Sequence, residues 1–239
     1  GKMEQQGTFP KPSGGAMAQD RESRFGFTCS ACSRCCFNKR IQINPYEAAM
    51  LAAGIGIDID RLRRDHTEAG DGIYLTRRKD GACTFLGSEG CSVHSVRPLV
   101  CRLYPLGRVR HADGSEEWHR LEPHPRSAGR FDDSGTIAAF LEEQQALTLM
   151  AVADGYADWV NRAQSLLARR RGASHEPAGF GMLAQADLLD LDKATREWCR
   201  ARGRPWPDRL EERWKIHLEL LHEQLDHLEG EGDEAETAR

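Results

Sequence analysis

The chain has 239 residues, a formal net charge of −4, and 39% hydrophobic against 29% charged residues. That length suits one domain or two small ones, and the slight negative charge excludes a global attraction to nucleic acid or to an anionic membrane. No run approaches the roughly 18 consecutive apolar residues of a membrane-spanning helix, so the sequence predicts neither nucleic-acid nor membrane partners.

Residues 1–24, rich in Gly, Gln, Pro and Ser, read as a disordered tail with no apolar core of the signal-peptide kind, which points to the cytoplasm. Residues 25–133 read as a loop-rich cysteine-cluster domain. Within it Arg40 to Asn44 alternates as a short strand. Asn44-Pro45 then starts a helix that ends at Gly54, because Asn caps well and Pro suits the first helical position. Asp58 or Asp60 caps a second helix through Asp65, and Gly72 to Arg78 reads as a strand. Leu106 to His111 and Glu117 to Leu121 flank an Asp-Gly turn and predict a β-hairpin.

Residues 134–229 change to helical spacing, packed on the cysteine domain. Ser134 to Arg171 reads as one long helix, or two joined near Gly155, with an apolar stripe through Ile137, Phe140, Leu141 and Leu147. Further helices are predicted over Leu183 to Arg202 and Asp208 to Leu228. Residues 230–239 read as an acidic disordered tail. The fold class is therefore α+β: a small metal-stabilised cysteine domain with short strands, followed by packed C-terminal α-helices.

Cysteine usage is what stands out. Seven of the eight cysteines fall between positions 29 and 101, and four lie within eight residues. In a reducing compartment such density favours metal over disulfides. The first block, Cys29-Ser-Ala-Cys32-Ser-Arg-Cys35-Cys36, overlaps two C-x-x-C knuckles. That spacing lets two thiolates reach one ion at about 2.3 Å while loop N–H groups bond the sulfurs. The second block is Cys83, Cys91 and Cys101, interleaved with Arg97 and Arg102, whose guanidinium groups would offset thiolate charge. One buried cysteine is as often a small core residue as a ligand, and Cys199, alone in a helix, reads that way. Seven in this pattern do not.

The motifs C-x-x-C-x-x-C-C, Gly-x-Cys-x-Phe-Leu and Arg-Pro-x-x-Cys-Arg-x-Tyr-Pro together resemble the YkgJ-like cysteine-cluster family over roughly Phe25 to Gln144. That family is also described as the putative zinc- or iron-chelating domain and is related to the cysteine-rich part of flagellin lysine N-methylases. The resemblance implies a metal site of Cys29, Cys32, Cys35, Cys36, Cys83, Cys91 and Cys101. The family usually has a further cysteine where this chain has His124-Pro125. An imidazole substitutes for thiolate at zinc and, less often, at iron–sulfur clusters, which makes His124 the candidate eighth ligand.

The ferredoxin pattern fails at Lys39 and the usual radical-SAM spacing fails at Thr28. No nucleotide loop, zincin helix or nucleophile elbow is present. Two readings follow. One is an iron–sulfur (4Fe-4S) protein serving redox or methylation-type protein modification, with a protein substrate. The other is a non-catalytic zinc-stabilised module that binds a protein partner. The nearly all-thiolate ligand set tips the balance toward iron–sulfur, and the sequence names no catalytic residue.

Overall fold

The computed structural model describes residues 19–69, 72–111, 113–171 and 188–237. The expected tail up to residue 18, Ala112 of the hairpin turn, the start of the helix expected from Leu183, and the last two residues lie outside them. In chain order the elements are β1 (Arg24–Thr28), β2 (Gln42–Ile43), α1 (Pro45–Ile55), α2 (Ile59–His66), β3 (Thr67–Ala69), β4 (Ile73–Leu75), β5 (Leu86–Gly87), β6 (Gly90–Cys91), α3 (Leu99–Leu103), β7 (Leu106–Arg110), β8 (Glu116–Arg120), β9 (Arg130–Thr136), α4 (Ile137–Glu143), α5 (Leu147–Arg171), α6 (Leu191–Ala201) and α7 (Leu210–Thr237). The class is α+β, as predicted. Among the described residues no helix is long and apolar enough to cross a membrane.

The chain divides into two compact units, Gly1–Cys35 with Val100–Ala146, and Cys36–Leu99 with Leu147–Arg239. In the first unit β1 pairs antiparallel with β9, setting Phe27 opposite Phe131. Aromatic rings from both strands build the core with α4: Phe25 meets Phe140 edge-on at 4.9 Å and Phe131 at 6.0 Å. Such pairs add to the burial of their large apolar area. β7 and β8 form the predicted hairpin. Glu116 on β8 accepts hydrogen bonds from Arg21 at 2.9 Å and from Arg108, and these guanidinium groups, Arg21 foremost, hold its carboxyl down at about 2. Gln19 exchanges backbone hydrogen bonds with Trp118, within the segment expected as tail up to residue 24.

The second unit carries a three-stranded sheet in the order β2-β4-β3 and the helices α1, α2, α5, α6 and α7. α1 starts as the sequence predicts. The Asn44 side chain accepts from the Glu47 N–H, and the Glu47 carboxylate accepts from the Asn44 N–H, a full capping box worth about 1 kcal/mol. Its stop is Gly56 rather than Gly54, because Gly56 takes the left-handed conformation (φ 73°) that ends the helix. Asp58 caps α2. α6 and α7 pack on each other, α7 packs on α5, and both α6 and α7 pack on α1.

The stretch expected as helix from Ser134 to Arg171 is divided differently. Ser134 to Thr136 belong to β9, where pairing with β1 overrides helix propensity. The helical break falls at Gln145 (φ 52°), not at Gly155. Gly155 stays helical because it admits the neighbouring helix: a Cβ there would lie 2.8 Å from Leu218 Cδ1 and 3.0 Å from the Trp214 ring. α7 continues to Thr237, past Leu228 where the apolar spacing stops. Between α5 and α7 the buried Tyr156 hydroxyl donates to His217 Nδ1 at 2.8 Å, and His217 Nε2–H donates to the Leu188 carbonyl at 2.9 Å.

Candidate metal centre

Among the cluster cysteines Cys29 is exposed and the other six are half-buried, whereas Cys199 in α6 is 1% exposed. The seven are therefore not core residues, and Cys199 is the buried thiol its lone position predicts. Cys29, Cys32, Cys35 and Cys101 belong to the first unit with His124; Cys36, Cys83 and Cys91 belong to the second.

In the first unit β1 ends at Thr28 and the chain loops through left-handed Ala31 (φ 53°) and Ser33 (φ 57°) into the 3-10 turn Arg34–Cys36. Interleaving left-handed residues turns successive N–H groups toward one side, a concavity suited to negative charge. Ala31 N–H donates to Cys29 Sγ at 3.4 Å. Cys32 accepts from the backbone N–H of Ala128 and of Arg34, and Ser127 Oγ lies 3.9 Å from its sulfur. These donors, Ala128 first, stabilise the thiolate and bring Cys32 from the usual 9 down to about 7.

Ala128 and Ser127 sit in a turn that folds on itself. Ser127 N–H donates to the His124 carbonyl at 2.7 Å, and Gly129 N–H donates to Ser127 Oγ at 3.2 Å. Tyr104, just after α3, has its phenol raised by burial and by the charges of Cys35, Cys32 and Cys29, against a backbone N–H from His124 that lowers it. The phenol therefore lies within electrostatic range of all three thiols. Cys101 lies on α3, and its neighbour Arg102 is buried, donating to the Gln144 carbonyl at 3.0 Å.

His124 Nδ1 accepts the Arg126 N–H at 3.1 Å. That bond places the ring proton of neutral His124 on Nε2, so ligation needs either loss of the Arg126 contact or loss of that proton.

In the second unit the Cys83 N–H donates to the Cys36 carbonyl at 2.9 Å, fixing these two residues side by side. Leu86 N–H donates to the Cys83 carbonyl at 3.0 Å, and Leu86 pairs with Cys91 across the β5–β6 hairpin. Arg97, expected to offset thiolate charge, donates to the His94 carbonyl at 2.7 Å.

Among the described residues no three His, Cys, Asp or Glu side chains are gathered tightly enough to hold an ion. The donor chemistry nonetheless fits thiolate ligation, since main-chain N–H groups and a hydroxyl converge on sulfur as outer partners of a metal thiolate do. Sequence reasoning named the cysteines as candidate ligands and gave no role to Tyr104, Ser127 or Ala128. The only local signal was the Ser127-x-Gly129 turn chemistry, which does not say that the turn closes on Cys32.

No curated protein and no solved structure matches the chain. A family model matches residues 28–123, ending just before His124. Over residues 28–123 the chain is thus similar to the CxxCxxCC family, described as a putative zinc- or iron-chelating domain.

Proposed function

We propose that this domain chelates its metal through the thiolates of Cys29, Cys32, Cys35, Cys36, Cys83, Cys91 and Cys101, in two centres, and that the occupant is iron–sulfur. The carrying observation is the set of N–H and hydroxyl donors aimed at Cys32, which stabilises a thiolate at neutral pH. Thiolates repel one another until a cation neutralises them, so a concentration of cysteines of this kind is favoured around a metal. Soft thiolate sets select zinc, copper(I) and iron–sulfur, and a ligand set of seven thiolates favours iron–sulfur among these. The chemistry it would supply is redox or protein modification, with a protein as substrate or partner and the reducing cytoplasm as the compartment.

A second reading has zinc holding the domain together for docking of a protein partner. The left-handed loop at Ala31 and Ser33 is compatible with it, since N–H donors to sulfur serve a zinc knuckle as well as an iron–sulfur cluster. Protein isolated without oxygen separates the two. Iron, zinc and inorganic sulfide per chain, with broad absorption at about 400 nm, mark iron–sulfur; zinc without sulfide or colour marks the second reading. A chain holding neither metal would overturn both.

A further inference from the structure

The turn from His124 to Gly129 lies beyond the family-matched segment, which ends at residue 123. It nevertheless folds onto Cys32, through Ala128 N–H and through Ser127 Oγ at 3.9 Å from the sulfur. We propose that Ser127 is a positioning residue of the metal centre, its hydroxyl donating to the Cys32 thiolate and setting how firmly the centre holds its ion. This rests on the reading of Cys32 as a ligand.

The donor direction follows from proton counting. A metal-bound thiolate sulfur has no proton to give, so in that pair Ser127 donates. Ser127 Oγ already accepts the Gly129 N–H at 3.2 Å, which occupies lone-pair capacity and leaves the single hydroxyl proton for sulfur. The turn is held in register from both sides. Ser127 N–H is bonded to the His124 carbonyl, and Gly129 abuts the Phe27 ring so closely that a Cβ would lie 2.3 Å from it. Phe27 in turn packs on Phe131 at 5.2 Å and on Tyr104 at 6.3 Å. The hydroxyl is therefore presented by packed structure rather than by a wandering loop. Outer-sphere hydrogen bonds of this kind change metal affinity about 10- to 100-fold.

The test uses the full chain isolated without oxygen, as wild type and as Ser127→Ala, Ser127→Thr and Ser127→Val. Iron and zinc per chain are measured first, and then the rate at which that metal passes into excess EDTA. Ser127→Ala should release metal about tenfold faster or more, while Ser127→Thr, which keeps the hydroxyl, stays at the wild-type rate. Threonine and valine have nearly the same shape, so this pair isolates the hydroxyl even if alanine disturbs the turn; Ser127→Val should release like alanine. Equal rates for threonine and valine, with metal bound in both, would overturn the proposal while leaving the ligand reading intact. A wild-type chain without metal would overturn the ligand reading and this proposal with it.

Discussion

Left-handed backbone at Ala31 and Ser33 costs about 1–2 kcal/mol per residue, and the alanine has no side-chain polar group to offset it. That strain sits between the first three cysteines, where it aims N–H groups at sulfur. It is sustained if a metal completes the loop, because structural zinc supplies about 10–16 kcal/mol of apparent binding energy. Cys32→Ser should therefore strip metal and lower the melting temperature; a variant that kept wild-type metal and melting would remove Cys32 from the ligands. His124→Ala is expected to leave the metal count unchanged, since its Nδ1 is engaged by Arg126, and a drop in metal would restore it to the list. His217 behaves oppositely to a surface histidine. Burial pushes it from the usual 6.5 down to about 4, with Tyr156 O–H donating to one nitrogen and the Leu188 carbonyl accepting from the other. Between those values the unfolded chain binds a proton that the folded chain refuses, so this contribution is whole above pH 6.5 and lost as pH falls toward 4. The difference is on the order of 3 kcal/mol. Urea midpoints at pH 7 and at acid pH should diverge less in His217→Gln than in wild type; equal divergence would discard the idea.

Two helices end by the same hydrogen-bond pattern with different residues. In α1, Gly56 N–H bonds to the Ala53 carbonyl and Ile57 N–H to that of Ala52; in α4, Gln145 N–H bonds to Glu142 and Ala146 N–H to Leu141. Both are Schellman stops, with φ 73° at Gly56 and 52° at Gln145. Glycine takes that conformation without a Cβ penalty and glutamine does not. Gln145→Gly should thus raise stability by about 1 kcal/mol, read as a higher urea midpoint at unchanged slope; a lower midpoint would mean that the glutamine side chain supports the turn. This pair also shows what a sequence conceals. Asn44, Pro45 and Glu47 announce the start of α1 because capping acts within four residues. The stop at Gln145 carries no such sign, since it is supported from 42 residues away by Arg102 on the Gln144 carbonyl. Likewise the cysteines are legible by spacing, whereas the turn that closes on Cys32 lies 95 residues on and becomes visible only when the chain is folded.

At the scale of the molecule, the boundary between the two compact units falls between Cys35 and Cys36. Adjacent side chains point in different directions, so two neighbouring thiolates share one tetrahedral ion only with strain. Assigning them to different centres removes that strain, and the division then sorts the thiolates as Cys29, Cys32, Cys35 and Cys101 against Cys36, Cys83 and Cys91. The first set is a complete four-thiolate complement for zinc or a cubane cluster; the second leaves one position for another ligand. Substitutions should then act separately. Cys101→Ser should cost the metal of the first set and spare the second, and Cys83→Ser should do the reverse, with the double variant losing both. Metal per chain on the three variants checks this. If either single substitution emptied the protein of metal while its far-UV dichroism stayed that of wild type, the thiolates would form one shared cluster and the two-centre assignment would fall. If both left the full complement in place, neither Cys83 nor Cys101 would be a ligand, and the strain between Cys35 and Cys36 would need no second ion to relieve it.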